Sequence, residues 1–151
     1  MNEHMEMIKV TPHDLQLFKE LLVVFEDVFE MKNFQIPDDT YLQQVLKSSS
    51  FMVYVVRNHG KTVGGLTAYI LPSYYFKSSE VYIYDLAIMK QFQRKGLGRK
   101  LMSVLKDDCK ALGFKEVFVQ ADLVDSHALE FYRSIGGTAE SVVHFYYPLY
   151  A

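Results

Sequence analysis

The residues with the clearest chemical potential are Gln93 to Gly98, a Gln-Arg-Lys-Gly-Leu-Gly turn between two patterned segments. The run 81–89 before it is rich in β-branched and aromatic residues, which is typical of a strand. After it, apolar residues recur at helical spacing as far as the helix-ending Gly113. A strand that passes through glycines into a helix directs backbone N–H groups and the positive end of the helix dipole at one point. The pattern therefore predicts a binding site for a diphosphate group.

The charge around this turn supports the same ligand. Although the net charge of the 151-residue chain is −2, seven basic residues oppose only two acids between positions 90 and 110. The basic residues are Lys90, Arg94, Lys95, Arg99, Lys100, Lys106 and Lys110. A nucleic-acid site would show a similar excess, but Phe92 is the only aromatic residue in this segment and the rest of the chain is acidic. We therefore expect a small ligand that carries a diphosphate, and no nucleic-acid partner.

Two common nucleotide-binding motifs are excluded by spacing. The P-loop requires Gly-x-x-x-x-Gly-Lys-Ser/Thr, which is absent, and the dinucleotide motif requires a third glycine where this chain has Leu101. The Gln-x-x-Gly-x-Gly spacing instead resembles motif A of the GCN5-related N-acetyltransferases (GNAT family), which hold the diphosphate of acetyl-coenzyme A (acetyl-CoA). Two further segments resemble this family in the expected order. Residues 82–88 look like its fourth strand, and 128–136, with the pattern Ala-x-x-Phe-Tyr-x-x-x-Gly, is similar to its motif B helix.

This resemblance implies a fold and an activity. The implied fold is α/β, with a mixed, mostly antiparallel central sheet, splayed strands 4 and 5, and helices on both faces. The implied activity is that of an N-acetyltransferase that moves acetyl directly from acetyl-CoA to an amine. Longer strings, at 66–72, 80–87 and 119–122, resemble the aminoglycoside 3-N-acetyltransferases of type I. That resemblance implies the 3-amino group of an aminoglycoside, a small polycationic molecule, as the acceptor.

Two departures from that branch leave other acceptors open. Asp125-Ser126-His127 stands where the branch has two adjacent acids and a proline, and Tyr146-Tyr147-Pro148 stands where it has C-terminal acids. Since aminoglycosides are polycations, each missing carboxylate weakens the attraction for them. The alternatives are another small polyamine, a peptide amine, or a non-catalytic module that only binds acetyl-CoA.

The resemblance also assigns the contacts with acetyl-CoA. The backbone at Leu86, Ala87 and Ile88 is expected to bind the acetyl and pantetheine groups. Motif A is expected to hold the diphosphate through Gln93, Arg94, Lys95, Gly96, Leu97, Gly98 and Arg99. Asp125 lies where the family often has an asparagine that contacts pantetheine. Because it directly precedes a helix, Asp125 is equally suited to be that helix's N-cap.

Two residues are the first candidates for proton transfer. Asp85 is a carboxylate within an apolar strand, where burial raises the pKa toward that of a useful general base. Its alternative role is a structural carboxylate that orders a loop, and Glu80 is the second choice for the base. Tyr132, by its place in motif B, is the candidate general acid for the departing thiolate. Its alternative role is a core tyrosine that packs with Phe131.

The acceptor site is expected to be acidic. Its candidate residues are Glu26, Asp27, Glu30, Asp85, Asp122 and His144. The helix acids among them are also explained as solvated surface charges, and His144 as a satisfied core histidine. The five histidines and the single cysteine show no metal-ligand spacing, so we expect no metal.

Length and composition limit the setting of this site. A chain of 151 residues predicts one domain, 1–151. No apolar run reaches the roughly 20 residues of a membrane span, so we expect no membrane partner. The acidic N-terminus lacks the apolar core of a signal peptide, and the lone Cys109 favours a reducing cytoplasm. Tyr146 and Tyr147 would suit the seam of a homodimer.

The same patterns predict the elements that position the site. We expect a helix over 12–30 with Thr11 as its N-cap, and further helices after Pro37, after Gly96 and after Asp125 or Ser126. We expect strands at 5–10, 51–57, 62–71, 81–89 and 116–121, and one or two final strands within 138–147.

Overall fold

The computed structural model describes residues 4–150; residues 1–3, which begin the acidic N-terminus, lie outside the described part. The elements are β1 (Met5–Lys9), α1 (Leu15–Val28), α2 (Asp39–Lys47), β2 (Phe51–Asn58), β3 (Lys61–Pro72), β4 (Ser79–Ile88), α3 (Leu97–Ala111), β5 (Glu116–Val119) and α4 (Ser126–Ser134). A single 3₁₀ turn, Lys90–Phe92, lies between β4 and α3. The chain divides into two compact units, 1–120 and 121–151, which we describe separately.

The first unit is built on a five-stranded sheet in the order β1-β2-β3-β4-β5. Its first three strand pairs are antiparallel and the β4–β5 pair is parallel, as expected. The β4–β5 ladder covers only Glu80 to Ile83 on β4 and Glu116 to Val119 on β5. From residue 84 to residue 88, β4 has no strand partner on the β5 side among the described residues. This splayed edge of β4 (residues 84–88) confirms the predicted separation of the two strands.

Helices cover both faces of the sheet, and successive side chains of β2 point alternately toward the two faces. Val53 and Val55 pack into a cluster with apolar residues of α1 and α2. Tyr54, which is fully buried, points to the opposite face and donates its hydroxyl to Asp108 of α3 at 2.5 Å. Burial and this hydrogen bond to a carboxylate raise the pKa of Tyr54, so the phenol stays protonated.

The first helix begins later than predicted. Thr11 is not its N-cap, because the Asp14 carboxylate accepts hydrogen bonds from the Thr11 N–H and hydroxyl, each at 2.9 Å, and closes a turn over 11–14. The hydrogen bond from the Thr11 amide also lowers the pKa of Asp14. The helix therefore runs from Leu15 to Val28. The prediction for α2 is confirmed, since Asp38 caps it by accepting the Tyr41 N–H at 2.9 Å.

The second unit contains α4 and a C-terminal segment. Asp125 is the N-cap of α4, and Gly136, with φ of 92°, ends the turn that follows the helix. The prediction of final strands within 138–147 is wrong, because residues 138–147 form neither helix nor strand. Residues with strand propensity form a strand only when a neighbouring strand pairs with their backbone N–H and C=O groups. No described helix, in either unit, is long and apolar enough to cross a membrane.

Candidate active site

The predicted diphosphate turn contains two residues with positive φ, a backbone conformation that favours glycine. Gly96, the N-cap residue of α3, has φ of 80°, and Arg94 has φ of 60°. A Cβ atom placed on Gly96 would meet nothing within 4 Å, so the glycine is needed for its backbone conformation rather than for packing within the protein. The space beside it is available to a ligand.

The first turn of α3 supplies amides to that space. At the start of this helix the Lys100 N–H donates to the Gly96 carbonyl at 3.0 Å. The amides of Leu97 and Gly98 precede this bond and lie at the positive end of the helix dipole. Arg94 and Lys95 are exposed next to them. The arrangement has the donors and the charge that a diphosphate requires.

The side chain of Gln93 connects this turn to the sheet by a hydrogen bond. Its Nε2 donates to the carbonyl of Ile88, the last residue of β4, at 2.8 Å. The glutamine side chain therefore fixes the distance between the splayed edge of β4 and the start of α3. This contact gives Gln93 a positioning role in addition to the ligand contact that we predicted.

Two glycines that the sequence analysis did not single out shape the end of β4. Gly64 pairs with Ile88 and Gly65 pairs with Ala87. A Cβ on Gly64 would lie 2.8 Å from the Ala87 carbonyl oxygen, and a Cβ on Gly65 would collide with the Tyr54 carbonyl oxygen. The glycines thus allow β3 to pack closely against its neighbours opposite residues 87 and 88. A glycine pair inside an apolar strand was the available signal for such a close approach.

Asp85 lies at a β-bulge in the middle of β4. The register pairs Thr67 with Asp85 but Ala68 with Ile83, so Tyr84 is an extra residue in the strand. Bulges of this kind redirect side chains and are common beside active sites. Asp85 is half-buried, and this desolvation raises its pKa from 3.8 to about 6. The environment is the one predicted for a general base.

Four other predicted acids lie elsewhere in the first unit. Glu26 and Asp27 are in the last turn of α1, and Glu30 follows the helix with φ of 51°. Glu80, the second-choice base, lies near the start of β4, where it is paired with Glu116 of β5. Four residues of the strand lie between Glu80 and Asp85, so Glu80 is away from the bulge.

The motif B residues have defined local contacts within the second unit. Asp125 accepts the Ala128 N–H at 3.0 Å, which confirms its N-cap geometry. The Tyr132 ring packs edge-on against Phe131 with 5.1 Å between centroids, and its carbonyl accepts the Gly137 N–H at 2.9 Å. Asp122 and His144 are exposed, and the His144 ring lies 6.3 Å from that of Tyr146. Within residues 4–150 no group of three or more His, Cys, Asp or Glu residues is arranged to hold a metal ion.

Comparisons with known proteins show the family and agree with the fold. The sequence pattern of the acetyltransferase (GNAT) family matches residues 15–136. An aminoglycoside acetyltransferase from an uncultured soil metagenomic sample, solved in complex with trehalose, is 46% identical, with a TM-score of 0.96 over 99% of both chains. The same enzyme has also been solved in complex with sisomicin. A second soil metagenomic aminoglycoside acetyltransferase is 32% identical, with a TM-score of 0.92 over 99% of this chain and 100% of that one.

A more distant match is to a curated protein with a different acceptor. The ribosomal protein bS18 alanine N-acetyltransferase of Salmonella typhimurium is 29% identical over 69 residues, which are 46% of this chain. The aligned region is 47% of that protein, so the chain spans about half the length of the curated relative it matches.

Proposed function

This chain is an acetyltransferase of the GNAT family, and we propose that it transfers acetyl from acetyl-CoA directly to the 3-amino group of an aminoglycoside. The likeness to aminoglycoside acetyltransferases along nearly the whole chain supports this acceptor class. The observation that carries the chemistry is Asp85, a half-buried carboxylate at a β-bulge on the splayed edge of β4. With its pKa raised to about 6, it is mostly ionised at pH 7 and is a stronger base than an ordinary aspartate.

Acetyl-CoA would be held by the loop and helix that follow β4. The turn at Gly96 leaves space for the diphosphate at the N-terminus of α3, and Arg94, Lys95 and Arg99 would add positive charge. Gln93, Leu97 and Gly98 complete this set. The backbone at Leu86, Ala87 and Ile88 would bind the acetyl and pantetheine groups, and Asp125 would contact the pantetheine arm while it caps α4. When bound, acetyl-CoA supplies an activated acetyl thioester.

In the proposed mechanism two side chains move protons. Asp85 accepts the proton that the acceptor amine loses as its nitrogen bonds to the acetyl carbon. Backbone N–H groups at 86–88 stabilise the negative charge that develops on the carbonyl oxygen. Tyr132 donates the proton that the departing sulfur gains. Proton loss and proton gain are thus assigned to separate groups, and the two balance.

The acceptor would be drawn in by carboxylates. In addition to Asp85, the acids proposed for this role are Glu26, Asp27, Glu30 and Asp122. His144 is proposed as a further contact. A polycation gains from each carboxylate, most strongly at low salt. A second candidate acceptor is a peptide N-terminus, which the partial match to a ribosomal-protein alanine acetyltransferase favours. A module that only bound acetyl-CoA would have no use for a base with a raised pKa.

We also propose a setting for the enzyme: one domain over 1–151, a cytoplasmic location and a homodimer. Val142, Val143, Phe145, Tyr146 and Tyr147 are between 68% and 82% exposed, and contiguous exposed apolar side chains mark interaction surfaces. Cys109 is buried, and burial raises the pKa of its thiol, which suits a protein that stays reduced. Acetylation removes a positive charge from the drug, so this activity would confer antibiotic resistance on its host.

The test is steady-state release of free CoA thiol with a panel of amines. The panel contains gentamicin, sisomicin, spermidine and an alanine-initiated peptide, each at equal amine concentration. We expect kcat/KM to be highest for the aminoglycosides. A higher kcat/KM for the peptide would show that the acceptor is a peptide amine and not an aminoglycoside. Binding of acetyl-CoA without amine-dependent thiol release would show that the protein is a binding module and not an enzyme.

A further inference from the structure

Aromatic residues lie directly opposite one another across four strands of the sheet. Phe51 of β2 pairs with Tyr69 of β3, Tyr69 pairs with Tyr82 of β4, and Tyr82 pairs with Phe118 of β5. The rings of Phe51 and Tyr69 are 5.0 Å apart, and those of Tyr82 and Phe118 are stacked at 4.9 Å. Phe51 in turn contacts Phe18 of α1 at 5.6 Å, which places the row on the α1 face of the sheet.

The bulge at Asp85 adds one more ring to this row. Tyr84, the extra residue, contacts Tyr69 at 5.6 Å and Tyr82 at 6.0 Å, in both cases edge to face. Tyr69 and Tyr82 remain direct partners in the register, and the Tyr84 ring contacts both of them from the bulge. The Tyr84 side chain nevertheless remains 61% exposed, so much of its ring surface is accessible to a ligand.

The carboxylate of Asp85 is next to this exposed ring in the chain. Asp85 is the next residue in the bulge. Burial is the main cause of the raised pKa of Tyr69, and electrostatic interactions with Tyr84, Tyr41 of α2 and Asp85 raise it further. Tyr41 is 55% exposed. The sheet therefore presents exposed aromatic surface and phenolic hydroxyls beside the group that would receive the acceptor's proton.

This combination suits a particular class of ligand. The faces of tyrosine rings attract ammonium groups and pack against apolar C–H surfaces, while phenols exchange hydrogen bonds with hydroxyl groups. A hydroxylated amino sugar offers all three features. A simple polyamine has neither a ring nor hydroxyl groups, and an alanine-initiated peptide presents no ring with a C–H face.

We propose that Tyr84, with Tyr69 and Tyr82, forms an aromatic shelf that binds the sugar ring next to the reacting amine, so that Tyr84 determines acceptor specificity. This inference rests on the proposed function and names the part of the acceptor that the site recognises. Tyr84 acts on the ring of the substrate and Asp85 on its amine. The shelf would compensate for the C-terminal acids that this chain lacks, since ring contacts bind the sugar without charge.

The test compares three variants by kinetics and by calorimetry. Tyr84→Leu removes the ring, Tyr84→Phe keeps the ring and removes the hydroxyl, and Tyr75→Leu removes a similarly exposed tyrosine from the β3–β4 loop. For sisomicin we expect KM and the calorimetric Kd to rise about five- to tenfold in Tyr84→Leu, with kcat changed less than about twofold, as loss of one ring contact predicts. Tyr84→Phe is expected to stay within about threefold of wild type, because it keeps the ring face, and Tyr75→Leu within about twofold. For spermidine the Tyr84→Leu change should be smaller than for sisomicin.

The outcomes separate the shelf from the activity. Unchanged sisomicin KM and Kd in Tyr84→Leu, while wild type acetylates the drug, would overturn the shelf alone. An equal loss for spermidine and sisomicin would overturn the sugar-ring role. Wild-type enzyme that turns over no aminoglycoside but does acetylate another amine would overturn the proposed function and the sugar specificity with it. Thermal melts of all three variants check that each is folded.

Discussion

Replacement of Asp85 by asparagine should make the protein more stable and the enzyme nearly inactive. Burial raises the folded-state pKa of this group from 3.8 to about 6, so the ionised form is held at a cost in folding free energy above that pH. A shift of about two units corresponds to about 3 kcal/mol. Because the side chain is only half-buried, solvent screening reduces this to about 1 to 2 kcal/mol. Because Asp85→Asn carries no charge at this position, its free energy of unfolding at neutral pH should exceed that of wild type by this amount.

The pH dependence gives this prediction its sign. Wild-type stability from this group is fully present below about pH 4 and is lost as the pH rises through about 6. The stability gain of Asp85→Asn should therefore be largest at pH 7 to 8 and disappear near pH 4. Activity should follow the opposite course, since the ionised fraction rises from about one tenth at pH 5 to about nine tenths at pH 7 for a pKa of about 6. Loss of the base should lower kcat by about a hundredfold or more.

Urea unfolding between pH 4 and pH 8, paired with thiol release for wild type between pH 5 and pH 8, measures both effects. Asp107→Asn, an exposed acid on α3, is the matched control and should change neither quantity. An Asp85→Asn protein that is less stable than wild type at pH 8 would mean that the carboxylate is a structural group. A variant with near-normal turnover would mean that the base is another group or water.

The other predictions concern the diphosphate turn, the general acid, the charge of the acceptor site and the dimer. Gly96→Ala and Gly113→Ala place a side chain at φ values of 80° and 75° with open space around each, so both should lose about 1 kcal/mol of stability; only Gly96→Ala should weaken acetyl-CoA binding by calorimetry, and equal affinities would place the diphosphate elsewhere. Tyr132→Phe should retain acetyl-CoA affinity and lower kcat about a hundredfold, whereas full-speed turnover would leave solvent as the proton donor. The KM for gentamicin should rise with salt as the Debye length falls to about 3 Å at 1 M, and a flat response would argue against a carboxylate-lined site. Phe145→Glu should shift a homodimer toward monomer in light scattering, and an unchanged mass would exclude this segment from the seam.

Much of this site could be predicted from local sequence because its parts are local. The glycine turn at residue 96, the helix that follows it and the N-cap at Asp125 depend on residues within a few positions of one another. The raised pKa of Asp85 also followed from an acid within an apolar strand. For the turn and the cap the physical cause lies within one element and its immediate turn, and for Asp85 the apolar residues around it in the sequence indicate the burial that raises its pKa.

The features that the sequence did not predict depend on pairing between distant segments. The bulge at Tyr84 is invisible in the alternation of β4, because it arises from the register with β3. The aromatic row is likewise defined by three separate strand pairings. Thr11 has the residue type of an N-cap, but the carboxylate of Asp14 competes for its amide and delays the helix. The segment 138–147 contains β-branched and aromatic residues typical of a strand, but no strand within residues 4–150 pairs with it.

The most direct test of the central claim is the structure of the product. Wild-type enzyme is incubated with sisomicin and excess acetyl-CoA, and the product is analysed by mass spectrometry and two-dimensional NMR. The account predicts a single added acetyl group on the 3-amino nitrogen. Acetyl on a different amine would contradict the assigned position, and unmodified sisomicin alongside an acetylated polyamine or peptide would contradict the aminoglycoside function itself.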